Sequence, residues 1–395
     1  MSTVSVSLPP SSARAPAARV PLLAVVAGVA VANLYYAQPM AAMMADALHV
    51  SPAALGVAMM LCQIGYALGM LLLVPLGDGR ERRGLMVTTA VASTVTLVLM
   101  SVAPSYAVVA ALSLVLGFAS CLPQLAVPFA VGLVAPERRG RAIGVVMGGL
   151  LTGILLSRTA SGVLAGVVGW RATFGLAAAL MGLTAVLIRF ALPSQRPAQP
   201  LAWREILVSL LGVVRDEPLL RRQALVGALG FAAFSTFWST LSFHVARLGY
   251  GSKTAGLFGM IGVVGVAAAP IVGRMAGRVR PTLINQCGLA AVLVSFLVFA
   301  AGAHSLVVLA LGVVLLDAGS QSTHLANQTI IFGLNPALRN RINAIYMVTF
   351  FVGGALGTAA AAVAWQRAGW TGVCVLGAAL AAAGQLPLLF RRAPA

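Results

Sequence analysis

The sequence predicts an all-α membrane protein. It indicates twelve transmembrane helices in two pseudo-symmetric six-helix bundles, with both termini in the cytoplasm. Three observations carry this prediction. The 395 residues are 60% hydrophobic and 9% charged, with a mean hydropathy of +0.98. Apolar runs of about 20 residues, long enough to cross the hydrocarbon of a bilayer, recur along the chain. Short motifs also repeat at a spacing of 200 residues, which is typical of a duplicated unit.

The repeated motifs lie in the short breaks between apolar runs. The loop at 136–141 returns at 336–341, and the Gly-Trp pair at 169–170 returns at 369–370. Single residues that match at the same offset are Gly56 and Gly256, Gly77 and Gly277, and Arg80 and Arg280. Paired repeats favour a solute pathway at the interface between the two halves.

The apolar runs define twelve predicted spans. The first half contains 20–44, 53–76, 85–103, 106–134, 142–167 and 171–191, and the second contains 222–246, 254–275, 282–301, 305–334, 342–365 and 369–390. The domains predicted from them are a bundle at 20–191, a cytoplasmic linker at 192–219 and a bundle at 220–390. Residues 1–19 are rich in Ser, Ala and Pro, which favours a disordered cytoplasmic tail. The linker is expected to hold a short surface helix near 203–214.

Positive charge is distributed unevenly between the two sides. Of the 26 Lys and Arg residues, 21 fall in loops and tails on the side of the termini, four fall on the other side, and Arg158 lies within a span. Cationic loops face the cytoplasm, so this asymmetry places the termini inside the cell. The net charge of +18 is spread over short loops and not over one basic face, so nucleic-acid binding is not expected.

Nothing in the sequence indicates catalysis. Cys62, Cys121, Cys287 and Cys374 lie far apart within apolar runs, which predicts buried thiols and neither a disulfide nor a metal site. The chain shows no nucleophile–base set and no phosphate-binding glycine loop attached to a strand. We therefore expect no enzyme activity and no cofactor.

Three strings stand out in the first half: Asn-Leu-Tyr-Tyr-Ala-Gln-Pro at 33–39, Leu-Gly-Asp-Gly-Arg-Glu-Arg-Arg at 76–83 and Gly-Ile-Leu-Leu-Ser-Arg-Thr-Ala-Ser-Gly at 153–162. They resemble the major facilitator superfamily, in particular its bacterial sugar and drug efflux permeases. The resemblance covers nearly the whole chain from residue 20. It implies a monomeric secondary transporter in the bacterial inner membrane that works by alternating access. The resemblance also implies that Asp78, Arg82 and Arg83 form a conformational gate between spans 2 and 3.

Two charged residues lie within predicted spans. Asp317 is near the middle of span 10, where an ionisable group is costly unless it faces a cavity or a partner. Polar residues follow Asp317 at offsets that share one helical face, namely Ser320, Gln321, His324 and Gln328. Arg158 is the candidate counter-charge for Asp317 or for an anionic solute. We expect this pair to take part in proton coupling, while a structural hydrogen-bond network is the alternative for the stripe, and pairing or snorkelling the alternative for Arg158.

The remaining polar residues in the spans are candidates for lining a substrate cavity. The predicted set is Asn33, Tyr36, Gln38, Gln124, Trp238, Ser239, Gln321 and His324. Pro39 cannot donate to the carbonyl of Tyr35, so a kink and a free carbonyl are expected there. In this fold the resemblance implies that spans 1, 4, 7 and 10 face the cavity.

These features favour proton-coupled export of a small organic solute across the lipid bilayer. Uptake by symport would use the same fold and residues, and the sequence does not separate the two. A non-transporting membrane sensor or scaffold is the alternative from a different class, and it predicts no solute flux.

Overall fold

The architecture consists of helices that run back and forth along two similar halves of the chain. The computed structural model describes residues 19–196, 203–262, 279–335 and 338–389, apart from the side chains of Asp78, Arg204 and Ile206. We call 19–196 the first half and 203–389 the second half. All but the last residue of the tail predicted at 1–19 lies outside these ranges.

Every regular element in the described ranges is helical. The first half contains α1 (Val20–Ala32), α2 (Ala37–Ala47), α3 (Pro52–Leu72), α4 (Arg82–Ser101), α5 (Tyr106–Ala119), α6 (Leu122–Gly132) and α7 (Arg139–Ala191). The second half contains α8 (Trp203–Asp216), α9 (Pro218–Arg247), α10 (Ser252–Ile261), α11 (Pro281–Ala301), α12 (Leu306–Phe332) and α13 (Arg339–Leu389). Helix α8 agrees with the short helix expected near 203–214, and the linker itself stays a prediction.

Polar caps set the starts of several membrane helices. Ser51 accepts a hydrogen bond from the backbone N–H of Ala54 at 3.3 Å, directly before Pro52 opens α3. Glu81 accepts one from the backbone N–H of Gly84 at 2.7 Å and so begins α4. These side chains satisfy N–H groups that the first turn of a helix leaves free, so the chain leaves each loop at a fixed residue.

Nine helical segments in the described ranges are long and apolar enough to cross a membrane. Two of them, α7 and α13, have 53 and 51 residues. A straight helix of that length would measure about 80 Å, far more than the hydrocarbon of a bilayer. Each is in fact two helices joined at a kink, and the span predicted at 254–275 is described only in part, over α10. The count of twelve therefore stays a prediction.

The two kinks occur at glycines that the repeat singles out. Gly169 has φ 79° and Gly369 has φ 58°, in the left-handed region where a side chain is strained. The tryptophans that follow them are both buried. Trp370 donates from Nε1 to the backbone oxygen of Phe299 at 3.0 Å, which fixes one kink against α11.

The first span is interrupted as Pro39 predicts. Helix α1 ends at Ala32 and α2 begins at Ala37, with turns between them. The expectation of a free carbonyl at Tyr35 is wrong, because the backbone N–H of Gln38 donates to that oxygen at 3.2 Å. The chain forms a tighter turn here, in which the Tyr35 carbonyl accepts a hydrogen bond from Gln38 because Pro39 has no N–H to donate.

Small residues bring helices into backbone contact in both halves. Helix α1 meets α7 as helix α9 meets α13, with too little room for an added Cβ at the glycines of the later helix. The pairs are Ala24 with Gly149, Gly28 with Gly153, Ala228 with Gly353, and Ala232 with Gly357. In the second half these contacts lie four residues further along than the 200-residue spacing predicts. The stretch of α13 between these contacts and the kink at Gly369 is thus about one helical turn shorter than the matching stretch of α7 before Gly169.

A second set of close contacts joins the two halves, along what we call the seam. Gly56 of α3 touches Ala362 of α13, and Gly162 of α7 touches Gly256 of α10. Gly56 and Gly256 occupy equivalent positions of the repeat, as do Gly162 and Ala362, so this part of the seam has approximate twofold symmetry. A Cβ on Gly162 would lie 2.6 Å from the Cα of Gly256. We call this region, beside Pro52 and Ser252, the closed end of the seam.

The opposite end of the seam is open. Along the face of α7 that carries Gly162, Arg158 is buried, Leu155 is half-buried, and Gly148 and Gly144 are exposed. Helix α13 shows the same gradient, from a buried Thr358 and Phe351 through a half-buried Met347 to an exposed Asn340. The halves therefore touch at one end and diverge toward the loops that begin α7 and α13.

Candidate functional site

Arg158 lies on the seam, between the closed and the open end. Its Nε donates to Oε1 of Gln38 at 2.8 Å. Its Cζ is 4.1 Å from the ring centre of Trp238, 4.6 Å from that of Tyr35 and 5.5 Å from that of Phe234. Gln38 and Tyr35 belong to the first half and the other two rings to the second. One side chain from the first half therefore contacts both halves.

The sequence makes room for Arg158 with glycines on the facing helix. A Cβ on Gly259 would lie 2.8 Å from the Cβ of Arg158, and one on Gly256 would lie 2.9 Å from its backbone oxygen. Arg158 is 2% exposed, so it does not reach the membrane surface. Aromatic faces attract a guanidinium and offset part of the cost of burying it.

Asp317 is the acidic residue that faces this region. It is 5% exposed and lies on α12. A Cβ on Gly262 would lie 2.6 Å from its Oδ2, so the carboxylate packs against the backbone next to α10. Asp317 and Arg158 attract each other electrostatically. They do not, however, come within the 4.0 Å of an ion pair.

Four buried polar atoms at this site have no well-formed hydrogen bond among the described residues. They are Nη2 of Arg158, Nε1 of Trp238, Oδ1 of Asp317 and Oγ of Ser242, although the Trp238 indole is close enough to interact with the Asp317 carboxylate. A buried polar group left without a partner costs about 1–3 kcal/mol, and more when it is charged. A guanidinium donor, a carboxylate acceptor and a hydroxyl therefore remain to be satisfied, which is the arrangement expected of a site that binds a polar molecule.

A narrow cleft lies beside Arg158. It is lined by Gln38, Pro39, Arg158, Trp238, Leu241, Ser242 and Ala255. The cleft has no space for even a water-sized molecule, so it is shut to a solute in this structure. The seam at this level is nearly shut on the side of the closed end.

Three phenylalanines form what we call the aromatic stack, directly beside Arg158. The rings of Phe231 and Phe350 are 4.0 Å apart at 15°, and those of Phe231 and Phe234 are 5.7 Å apart at 18°. Phe234 and Phe350 are only half-buried, although both lie deep in the molecule. The sequence analysis missed this stack, because phenylalanine in an apolar run resembles ordinary core. The spacing of Phe231, Phe234 and Trp238 along one face of α9 was the available signal.

Some of the predicted cavity residues lie elsewhere. Asn33 donates from Nδ2 to Oγ of Ser120 at 3.2 Å and contacts Sδ of Met181, so it lies inside the first half. Tyr36 is buried in the apolar core. The neighbouring Tyr35, and not Tyr36, contacts Arg158.

The other predicted cavity residues form contacts away from Arg158. Gln124 donates to the Tyr66 hydroxyl at 3.3 Å, and Nδ1 of His324 is 3.1 Å from the Tyr346 hydroxyl. Ser239 bonds within its own helix, to the backbone oxygen of Thr236, and lines a cleft at the closed end. Gln321 is half-buried one turn after Asp317. Of the predicted set, the structure thus gathers Gln38, Trp238, Arg158 and Asp317 at one place.

The predicted gate residues tie the loop after α3 to the start of the linker. Arg82 donates from Nε to the backbone oxygen of Gly77 at 3.0 Å, and its backbone N–H donates to Gln195. Arg83 bonds the backbone oxygen of Leu192 at 3.2 Å and pairs with Glu81 at 3.6 Å. Asp78 ends a 3₁₀ turn at Pro75–Asp78. Its predicted pairing falls on a side chain outside the described residues.

Comparisons with known proteins agree with this architecture. A family model described as Major Facilitator Superfamily matches residues 23–358. The uncharacterized transporter YgaY of Escherichia coli O157:H7 is 37% identical over 362 residues, covering 91% of this chain and 92% of the relative. A Streptomyces coelicolor protein named as a transporter, SCO4007, is 31% identical over 362 residues, covering 91% and 84%.

Solved transporter structures share the fold at low sequence identity. An inward-facing bacterial homologue of the human lysosomal transporter Spinster superposes with a TM-score of 0.74 at 13% identity, covering 96% of this chain and 95% of the other. A mutant of the nucleoside transporter NupG superposes with a TM-score of 0.74 at 12% identity, covering 95% and 98%. At this identity the likeness establishes the fold alone.

Proposed function

This chain belongs to the Major Facilitator Superfamily and is a multi-pass membrane transporter, and we propose that it exports a small organic solute in exchange for protons. Family membership indicates a transporter and not an enzyme. The subgroup suggested by the three sequence strings, the bacterial sugar and drug efflux permeases, is part of the proposal. So are the direction of transport and the coupling ion.

One observation carries the proposal. Arg158 of the first half and Asp317 of the second half carry opposite charges, and both are buried on the seam. Each keeps one polar atom without a partner. Charges at membrane depth are costly and mark solute and proton pathways. A purely structural pair would close its ion pair, because breaking a buried pair is costly. The open geometry supports a site that alternates between partners.

The two ends of the seam support alternating access. We propose that the halves are the bundles 20–191 and 220–390, joined by the linker 192–219, and that they rock about Arg158. The closed end is held by backbone contacts between small residues and by a hydrogen bond from Nε2 of Gln63 to the Thr358 hydroxyl at 2.9 Å, which would have to break as the halves separate. The open end would close in the alternate state, and the loop of Arg82 and Arg83 would follow the linker during this movement.

Asp317 is the proposed proton carrier. Arg158 is the charged group that faces it, and the Trp238 indole is the neighbouring donor. A solute group that occupies Oδ1 excludes a proton from the same oxygen. Binding of solute and proton would therefore be mutually exclusive, which is the requirement for exchange.

Replacing Asp317 by asparagine tests this role. In everted membrane vesicles with an acidic interior, we expect the wild-type chain to dissipate the pH gradient on addition of a solute that a growth-inhibition panel has identified. Asp317→Asn should lose at least nine-tenths of this signal, because the amide neither takes up nor releases a proton near neutral pH. Asp46→Asn is the control, since Asp46 is an exposed carboxylate. A pH-dependent signal in Asp317→Asn equal to that of the wild type would remove Asp317 from the role.

The orientation is also a proposal: both termini in the cytoplasm, in a bacterial inner membrane, as a monomer. In this orientation the closed end faces the outside of the cell. Lys253, the single lysine of the chain, is exposed at that end. A membrane-impermeant amine reagent should label intact spheroplasts at Lys253, and Lys253→Arg should abolish that label. Labelling of Lys253 in everted vesicles but not in spheroplasts would reverse the orientation.

Uptake by symport is the second candidate function, and the free Nη2 of Arg158 is the observation that favours it. A solute anion bound there would repel the Asp317 carboxylate, and a proton on Asp317 would relieve that repulsion. Solute and proton would then move together. If the protein is a symporter, right-side-out vesicles with an acidic exterior would accumulate the solute. If it exchanges solute for protons, the same vesicles would not accumulate it. The absence of flux in either preparation would favour a sensor or scaffold.

A further inference from the structure

We infer that the central site binds an aromatic zwitterion, a solute with a carboxylate, an ammonium group and a planar ring, as in an aromatic amino acid. The inference deepens the proposed function, since it assigns a substrate class to the same site. It rests on the charges of the site, on the free donor of Arg158, and on the aromatic stack.

The charges of the site favour a solute that carries both signs. Arg158 and Asp317 cancel each other in sum, yet they are further than 4.0 Å apart and each keeps a free atom. A solute anion would satisfy Arg158 and leave Asp317 buried without a partner, and a solute cation would do the reverse. Both incomplete arrangements carry the cost of an uncompensated buried charge. A zwitterion satisfies both groups at once.

The free donor of Arg158 is available for a carboxylate. The bond from Nε of Arg158 to Gln38 fixes the guanidinium plane and leaves Nη2 free. The Trp238 ring lies 4.1 Å from Cζ, while its indole N–H interacts with the Asp317 carboxylate. The guanidinium is therefore the group that would bind a solute carboxylate, and a charged donor makes the stronger bond. The acceptor for the ammonium group is Oδ1 of Asp317.

The aromatic stack accounts for the ring. Phe234 is 5.5 Å from the guanidinium carbon of Arg158, and from there the stack continues through Phe231 to Phe350. Phe234 and Phe350 are half-buried, so each leaves part of its ring uncovered. Rings in offset contact gain stabilisation beyond the area they bury. A ring attached one or two carbons from the charged groups would reach this surface when the cleft opens.

A zwitterion also fits the proposed exchange. Its ammonium group and a proton compete for the same oxygen of Asp317, while its carboxylate remains with Arg158. Neither group has to be left unpaired when proton and solute replace each other. A solute without the ammonium group would not displace the proton.

The test is a charge series on the purified full-length protein. We would measure binding of radiolabelled L-phenylalanine in nanodiscs and competition by three unlabelled analogues: 3-phenylpropionate, which lacks the ammonium group; phenethylamine, which lacks the carboxylate; and leucine, which lacks the ring. Unlabelled phenylalanine should compete best, and each analogue should be at least tenfold weaker. Equal competition by any analogue, or no binding of phenylalanine, would overturn the inference.

Two variants check that the charges act as assigned. Arg158→Gln should weaken phenylalanine at least tenfold and leave phenethylamine as the better ligand, because only the carboxylate partner is lost. Asp317→Asn should weaken the binding of phenylalanine by the same factor, and it should leave 3-phenylpropionate as the better ligand. Variants that weaken all probes equally would contradict the assignment. If neither variant folds, as judged by size-exclusion chromatography, the wild-type series decides alone.

The outcome separates this inference from the proposed function. Proton-coupled export of another compound, with no preference for phenylalanine over its analogues, would overturn the substrate class and leave the transporter proposal standing. The predicted order of binding without any flux in vesicles would overturn the transporter proposal and leave the substrate class standing.

Discussion

Arg158 and Lys253 differ in what their surroundings require of a positive charge. Lys253 is exposed, and its ammonium can remain hydrated. Arg158 is buried against the faces of Tyr35 and Trp238 and bonded through Nε to Gln38. This arrangement uses the planarity of the guanidinium group and its separate donors, which an ammonium group cannot reproduce.

Arg158→Lys should therefore abolish function although the charge is kept. We expect transport of an identified solute to fall at least tenfold, because the ammonium cannot bond Gln38, stack on Trp238 and offer Nη2 together. Arg171→Lys is the matched control: Arg171 lies 4.2 Å from the Trp170 ring centre and bonds Ala103, but away from the site. Flux assays in vesicles, normalised to protein content, make the comparison. Full activity of Arg158→Lys would show that charge alone is needed.

Single residues were predictable where their chemistry is out of place in a membrane. Asp317 and Arg158 are charges in apolar runs, and such groups require a partner whatever the fold. Asn33 and His324 are polar too, but their positions depended on the rotation of their helices. A side chain turned toward the seam and one turned into its own half have the same sequence signal. Their hydroxyl partners, Ser120 for Asn33 and Tyr346 for His324, come from other parts of the chain.

At the scale of elements, two glycines set the directions of the longest helices. A left-handed conformation costs most residues about 1–2 kcal/mol, and glycine adopts it freely. Gly169 and Gly369 both adopt positive φ at the kinks of α7 and α13. Their recurrence in the sequence predicted these breaks. The four-residue shift between the contacts of the halves was not predictable, since it depends on where helices touch.

Alanine at either kink should destabilise the protein. We expect Gly169→Ala and Gly369→Ala each to lower the free energy of unfolding by about 1–2 kcal/mol. At Gly369 the new methyl group would also lie 3.0 Å from Nη1 of Arg247. The thermal midpoint of each variant in detergent gives the measurement.

Gly212→Ala is the control for both kinks. Gly212 lies within α8 and has open space around it among the described residues. Alanine there should stabilise the helix by about 0.5–1 kcal/mol. A midpoint for either kink variant at or above that of the wild type would contradict the assigned role of the positive φ.

At the scale of the whole molecule, the seam is closed at one end and open at the other. Gly166 of the first half and Lys253 of the second face each other at the closed end, where a Cβ on Gly166 would lie 3.6 Å from that of Lys253. Within the first half, a Cβ on Gly175 would lie 4.0 Å from that of Ser101. Both separations suit a disulfide.

Crosslinking these pairs tests whether the halves move as bodies. In a background without native cysteines, oxidation of Gly166→Cys/Lys253→Cys should reduce transport at least tenfold, and a reductant should restore it. Oxidation of Ser101→Cys/Gly175→Cys should leave transport within twofold, because both residues belong to one half. Undiminished transport in the oxidised first pair would mean that this end never separates.

The repeat predicted the duplicated architecture, and the seam shows why its symmetry could be anticipated only in part. Gly56 and Gly256 matched in the sequence, and each does meet a small residue of the other half. The identity of these two glycines does not indicate which helix of the other half each one contacts. That depends on how the two halves assemble, a property of all their surfaces together.

Glycine at the closed end has a thermodynamic consequence. Hydrophobic stabilisation scales with the apolar area removed from water, at about 25 cal/mol per Å², and a contact between Gly162 and Gly256 contains no side-chain area. Parting these surfaces therefore exposes little hydrocarbon and carries a low penalty. We therefore expect the two proposed end states of the molecule to lie close in free energy, so that a weakly bound cargo is sufficient to tip the balance between them.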